Sequence, residues 1–225
     1  MRSNYDYIIL DVDGTLYRNS KYLMACRAGA KRINSYALAR GVPKAVVARF
    51  VRKYVNRGKM TYPIREMSRR YGIDRKKFLD YAYDLDPGKF GITRDERIIR
   101  LLKKAKRRAT LAVFTNSPAI WALRTLTSIG VRKLIPRRNI VTLESLDNGR
   151  VIKPSMASLV ILLGILSAKP GRVAFLDDGR KNVENARKLG INSILICNGR
   201  QYSVGGHGSA QDIYSALQEL ADANR

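Results

Sequence analysis

A chain of 225 residues with 45% hydrophobic content can bury one sizeable α/β core, or a core with a small accessory domain, which excludes wholesale disorder. Forty-three Lys and Arg against 18 Asp and Glu leave a formal charge of +25. That surplus disfavours cationic partners and suits anionic substrates, polyanions or a simply solvated basic surface.

In chain order, the first element is a short apolar run over residues 7–11, read as a buried strand. No signal-peptide core precedes it. Residues 18–92 then break the pattern, with no strand and only short helical stretches. Val46, Val47, Phe50, Val51, Tyr54 and Val55 recur at three- and four-residue spacing, and Asp74 is placed to cap a helix containing Phe78, Leu79 and Tyr81. This segment carries 19 Lys and Arg against 5 Asp and Glu, so it supplies 14 of the +25. Beyond it, Thr93-Arg94-Asp95-Glu96 reads as a capping box opening a helix toward Arg108.

The remaining strands are expected at 110–115, 139–143, 172–177 and 193–197. Helices are expected from Pro118 to Ile129 with Gly130 as stop, from Ser155 onward, from Lys181 to Leu189, and over about 210–223. Alternating strands and helices of these lengths predict an α/β fold, a doubly wound, Rossmann-like parallel sheet with an all-helical insertion. The expected division is a core of 1–17 and 93–225 and a helical cap of 18–92. The longest apolar stretch, about 157–168, is shorter than the ~20 residues of a membrane span, so no membrane association and a cytoplasmic location are expected. Cys26 and Cys197 show no metal-ligand spacing and read as reduced thiols, and the lone His207 reads as solvent-exposed in its glycine loop.

In open parallel sheets, ligands sit beyond the carboxyl ends of the strands. Four groups of polar residues fall there: Asp11-Val12-Asp13-Gly14-Thr15-Leu16, Phe114-Thr115-Asn116-Ser117, Lys153-Pro154 and Asp177-Asp178-Gly179. Each alone has an ordinary use as a turn, a helix cap or a surface lysine. Together they form one chemical set. Asp11 can attack phosphorus as a nucleophile, and Asp13 can serve as general acid and base. Asp11 and Asp178 offer hard oxygen ligands to Mg²⁺, with Asp177 as second choice. Thr115, Asn116 and the amides before the Pro118 helix can bind phosphate oxygens, and Lys153 adds a positive charge.

These residues resemble the four motifs of the haloacid dehalogenase-like hydrolase superfamily. Asp11–Leu16 is similar to the first motif, Val113-Phe114-Thr115-Asn116 to the second, Lys153-Pro154 to the third and Phe175-Leu176-Asp177-Asp178 to the fourth. The run from Asn182 to Gly190 resembles the helix that follows the fourth motif. The resemblance implies a Rossmann-like core with a cap after the first motif, Asp11 as nucleophile and Asp13 as acid/base. It also implies Mg²⁺ held by Asp11, the Asp13 backbone carbonyl and Asp178, with phosphate held by Thr115 and Lys153. A second acid common in the fourth motif is replaced here by Asn182, leaving Asp177 or Asn182 to complete the metal shell. Asp13 favours phosphate chemistry over dehalogenation, because the superfamily's dehalogenases lack an acid/base aspartate at that position.

Leu16-Tyr17 and Asp177-Asp178 with Asn182-Val183 look most similar to the pyrimidine 5′-nucleotidase-like branch, with Tyr17 either stacking on a base or packing between core and cap. The expected function is Mg²⁺-dependent hydrolysis of a small phosphorylated metabolite, a nucleoside monophosphate or a sugar phosphate. The alternatives are a phosphomutase using the same residues, or a basic nucleic-acid-binding protein or polynucleotide-end phosphatase. The last is supported by charge but by no recognised motif or aromatic platform. Substrate contacts from Arg18, Lys21, Lys89 and Phe90 are a further expectation.

Overall fold

The computed structural model of the protein describes residues 5–146, 150–199 and 208–222. Among these, the strands are β1 (Tyr7–Leu10), β2 (Thr110–Phe114), β3 (Ile140–Val141), β4 (Val173–Asp177), β5 (Asn192–Ile196) and β6 (Ser209–Ala210). They form one parallel sheet in the order β3-β2-β1-β4-β5-β6. The chain winds outward in both directions from β1, so the boundary between β1 and β4 is the topological switch point.

Period-two alternation in a strand sends successive side chains to opposite faces. Ile8 and Leu10 enter one hydrophobic cluster, with Ile98 and Leu102 of α5 (Glu96–Lys106), Trp121 and Leu126 of α6 (Ala119–Ile129) and Leu217 of α9 (Ile213–Asp222). Ile9 enters the other, with Phe114, Phe175, Leu159 and Leu162 of α7 (Met156–Leu166) and Ala186 of α8 (Arg180–Lys188). Helices therefore cover both faces, as the doubly wound expectation requires.

Between β1 and α5 lie α1 (Asn19–Leu38), α2 (Lys44–Tyr54), α3 (Thr61–Tyr71) and α4 (Arg75–Tyr83), with no strand among the described residues of this segment. Asp74 caps α4 by accepting a hydrogen bond from the Lys77 amide at 2.9 Å. At 20 residues, α1 is longer than the short helices expected here. Ile33, Phe50 and Phe78 bury into the same cluster as Ile8 and Leu10, which gives this segment apolar continuity with one face of the sheet. Tyr83 is buried, and Tyr81 packs on Tyr36 at a ring-centroid distance of 5.0 Å, with Arg32 above it at 4.3 Å.

Several boundaries move for local reasons. The helix expected from Thr93 starts at Glu96, because Asp95 is the cap and accepts from the Ile98 amide at 3.0 Å. The strand expected over 139–143 keeps only Ile140 and Val141, because Thr142 and Ser145 brace a helical turn that leaves the sheet. Ala210, expected in the last helix, pairs instead with Ile196, and Asp212 caps the helix by accepting from the Ser215 amide at 2.8 Å. Cys26 and Cys197 are free thiols. His207 lies outside the described residues. Among the described residues, no helix is long and apolar enough to cross a membrane.

Candidate active site

At the carboxyl edge of β1 the chain turns sharply. Gly14 adopts φ +92°, a conformation only glycine takes without strain. A Cβ at this position would also lie 2.4 Å from the Asp178 carboxylate, so the glycine is needed for space as well as for backbone conformation. The turn lets the Thr15 hydroxyl reach back to Asp11 Oδ2 at 2.9 Å while accepting from the Asp178 amide at 3.1 Å. One hydroxyl thus ties the end of β1 to the end of β4.

Lys153 is the hub. Only 4% of its surface is exposed, and its Nζ donates to Asp11 Oδ1 at 2.7 Å, Asp177 Oδ2 at 2.6 Å and the Phe114 carbonyl at 2.9 Å. All three ammonium protons therefore have acceptors, as a buried lysine requires. Burial alone would lower its pKa, but the Asp11 and Asp177 carboxylates reverse this and raise it. Asn116 clamps the Lys153 backbone, its Nδ2 donating to the carbonyl and its Oδ1 accepting from the amide, both at 3.0 Å. Burial is the main cause holding Asp11 well above the ordinary carboxylate range; Lys153 opposes it, while Asp177, Asp178 and Asp13 add to it.

The second acid of the first motif sits in a separate harness. Tyr17 Oη and Trp121 Nε1 donate to Asp13 Oδ1, the indole at 2.8 Å, and Ser117 Oγ donates to Oδ2. Desolvation raises the pKa of Asp13, against the lowering effect of these three donors. Tyr17 accordingly meets the acid rather than standing open as a stacking surface. Trp121 was not singled out in the sequence. The available signal was a lone tryptophan one turn after Pro118, whose indole N–H must find a partner when the ring is buried.

Asp177 and Asp178 divide their work. Asp177 Oδ1 accepts from the Gly179 amide and from Asn182 Nδ2, each at 2.7 Å, while Oδ2 accepts from Lys153. Asn182 therefore stands as a partner of Asp177. Asp11, Asp177 and Asp178 each present an oxygen within 4.8 Å of the others, a spacing suited to one cation. Four carboxylates line the cavity floor (Asp11, Asp13, Asp177 and Asp178) against the single buried ammonium of Lys153, so the donor set fits a hard divalent ion.

The cavity has a volume of about 220 Å³. Thr115, Asn116, Ser117 and Asn182 line it from the sheet side, and Tyr22, Gly58, Lys59, Thr61 and Tyr62 from the helical segment. All the expected site residues, Asp11, Asp13, Thr115, Asn116, Lys153, Asp177 and Asp178, meet in this one space. Arg18, Lys21, Lys89 and Phe90 do not line it; Lys21 donates instead to the Gly91 carbonyl. The expectation of phosphate binding at the start of α6 also changes. The Ala119 amide is taken by the Glu144 carboxylate at 3.1 and 3.0 Å, an anion that the sequence did not reveal at that helix end.

A doubly wound sheet here carries a lysine-braced group of aspartates at its switch point. The chain belongs to the haloacid dehalogenase-like hydrolases, whose family profile matches residues 5–190. Similar solved structures include a phosphatase of this superfamily from Thermococcus onnurineus, 16% identical, with a TM-score of 0.63 and coverage of 96% of this chain and 97% of that one. A predicted phosphoglycolate phosphatase from Haemophilus somnus is 19% identical, with a TM-score of 0.57 and coverage of 96% and 97%. A 2-haloacid dehalogenase from Pseudomonas syringae is 14% identical, with a TM-score of 0.59 and coverage of 96% and 97%. A comparison with curated proteins returned no match.

Proposed function

We propose that the protein is a Mg²⁺-dependent phosphate-monoester hydrolase that passes through a phosphorylated Asp11, acting on a small substrate of sugar-phosphate size. The observation carrying this reading is the pair of separately held acids. Asp11 is oriented by Lys153 and Thr15, and Asp13 by Tyr17, Ser117 and Trp121, both facing one cavity. A dehalogenation site has no use for the second acid, whereas phosphate transfer needs a proton at the leaving oxygen. The small cavity supports a compact metabolite in preference to a nucleoside monophosphate, since drug-sized ligands occupy roughly 300–1,000 Å³.

In the first step an Asp11 carboxylate oxygen bonds to phosphorus, the ester P–O bond breaks, and Asp13 gives its proton to the departing alkoxide. In the second, water attacks the phosphorus, Asp13 takes the water's proton, and phosphate leaves with the Asp11 carboxylate restored. Asp11, Asp178 and the Asp13 backbone carbonyl would hold Mg²⁺, with Asp177 kept as the partner of Lys153. When bound, the ion would offset repulsion between the Asp11 carboxylate and the anionic phosphate. The Thr115 hydroxyl and the Asn116 amide are the phosphate-binding donors in this scheme, with Lys153 supplying its charge from beneath Asp11; the Thr115 and Ser117 amides are taken by the Val141 carbonyl and Thr115 Oγ1.

The test is phosphate release from a panel of sugar phosphates, small carboxylated phosphate esters and nucleotides, with Mg²⁺ and with chelator. Turnover that depends on Mg²⁺ and falls ~10³-fold or more in Asp11→Asn is the expected outcome. Undiminished release by Asp11→Asn would remove the nucleophile. Transfer of the phosphoryl group to another sugar hydroxyl without phosphate release would identify a mutase.

A further inference from the structure

The helical segment contributes four residues around the turn into α3 to the cavity wall: Gly58, Lys59, Thr61 and Tyr62. Gly58, at φ +70°, ends a helical turn and reverses the chain so that Lys59 falls at the start of α3. Lys59 and Lys153 are the two cations lining the cavity, and they are in opposite situations. Lys153 is buried, with all its protons bound by the site's own groups. Lys59 is exposed at the rim, and no described residue forms an ion pair or hydrogen bond with its ammonium; Tyr62 presents its ring 5.6 Å away.

Beside Lys59, Thr61 as a residue is about nine-tenths buried in the same wall, and no described residue bonds its hydroxyl. The first turn of an 11-residue helix begins there, with a partial positive charge of its own and the Thr61 amide as its donor, since the Tyr62 amide bonds the Lys59 carbonyl and Pro63 has none. A lysine with no acceptor among the described residues, the Thr61 hydroxyl and a helix start therefore line one stretch of the cavity wall. The carboxylates of Asp11, Asp13, Asp177 and Asp178, where the phosphatase reading puts the phosphate, line the same cavity.

We propose that Lys59, Thr61 and the start of α3 form a second anion subsite, so that the preferred substrate is a phosphate monoester whose leaving group carries another negative charge, a carboxylate or a second phosphate. This rests on the phosphatase reading above, with which it shares the cavity. The net charge of +14 on residues 18–92, from 19 basic and 5 acidic residues, adds a favourable field for such a dianionic or trianionic substrate. A substrate with a neutral leaving group would leave the Lys59 ammonium and the Thr61 hydroxyl without the acceptors they face.

Two esters matched in length separate the outcomes: 3-phosphoglycerate and glycerol 3-phosphate differ by a carboxylate in place of a hydroxymethyl group. Wild type should favour 3-phosphoglycerate in kcat/KM, and the preference should fall ~10-fold in Lys59→Gln, mainly through KM, as expected for one charge-assisted contact. Lys59→Arg should restore much of it, and Thr61→Val should lower it in the same direction. Calorimetric binding of both esters to Asp11→Asn, with and without Lys59→Gln, repeats the comparison without turnover. If no ester is hydrolysed by wild type, the phosphatase reading fails, while the calorimetric preference and its loss in Lys59→Gln still decide the subsite. A wild-type preference for glycerol 3-phosphate, or a preference unaltered by Lys59→Gln in both assays, overturns the inference.

Discussion

Asp11 and Asp13 are two residues apart, yet their surroundings give them different partners. Asp11 is held by an ammonium and a hydroxyl at the buried end of β1, whereas Asp13 is held by three neutral donors from the loop after β1, the turn after β2 and α6. If this second set aims Asp13 at the leaving oxygen, Trp121→Phe keeps most of the ring packing but removes one donor. A lost hydrogen bond to a charged group costs about 1.5–3 kcal/mol, so kcat on an alkyl phosphate should drop roughly 10-fold or more. With p-nitrophenyl phosphate, whose leaving group needs little protonation, the drop should be much smaller. An equal drop on both esters would show that Trp121 only supports packing. Tyr17→Phe tests the second donor by the same comparison.

Among the elements, the helix starts show most clearly how side chains set boundaries. Asp95 begins α5 by capping the Ile98 amide and also accepts from Tyr214 Oη of α9 at 2.6 Å. Asp95→Ala therefore removes both a cap and an interhelical tether, and should lower stability by about 1–2 kcal/mol, read as a lower urea midpoint at unchanged slope. An unchanged midpoint would mean that water replaces both contacts at no cost. At α6 the cap comes from far along the chain: Glu144 covers the Ala119 amide, so that helix end is not open to a ligand anion. Capping of α5 was visible within four consecutive residues, although the cap proved to be Asp95 and not Thr93. Capping of α6 was hidden, because its acid arrives from a turn beyond β3.

For the whole molecule, the charge of +25 has consequences for rate. If the field draws anionic esters toward the cavity, kcat/KM should fall ~3–10-fold between low salt and about 0.5 M salt, with kcat nearly constant, because screening weakens long-range attraction. A flat kcat/KM would leave the charge as a solvated surface with no part in capture. The polyanion alternative gives another signature, a steep log–log dependence on salt for binding of a single-stranded oligonucleotide.

Local sequence determined the strands with strong apolar runs, the helices with nearby caps and the four motif groups, because each depends on residues a few positions apart. Asp11, Asp13, Thr115, Asn116, Lys153, Asp177 and Asp178 were legible for that reason and do meet in one cavity. Tertiary structure decided how they share the work: Asn116 clamps the Lys153 backbone, Asp177 is taken up by Lys153 and Asn182, and Asp13 is harnessed by Trp121. It also decided which residues of the helical segment reach the site, putting Lys59 and Thr61 there and leaving Arg18 and Lys21 outside. Such choices depend on how α1 and the start of α3 meet the strand ends, where Tyr22, Lys59 and Thr61 share a cavity with Asp11 and Asp178. Hydrogen bonds between groups as far apart as Asp13 and Trp121 leave no periodic trace in the sequence.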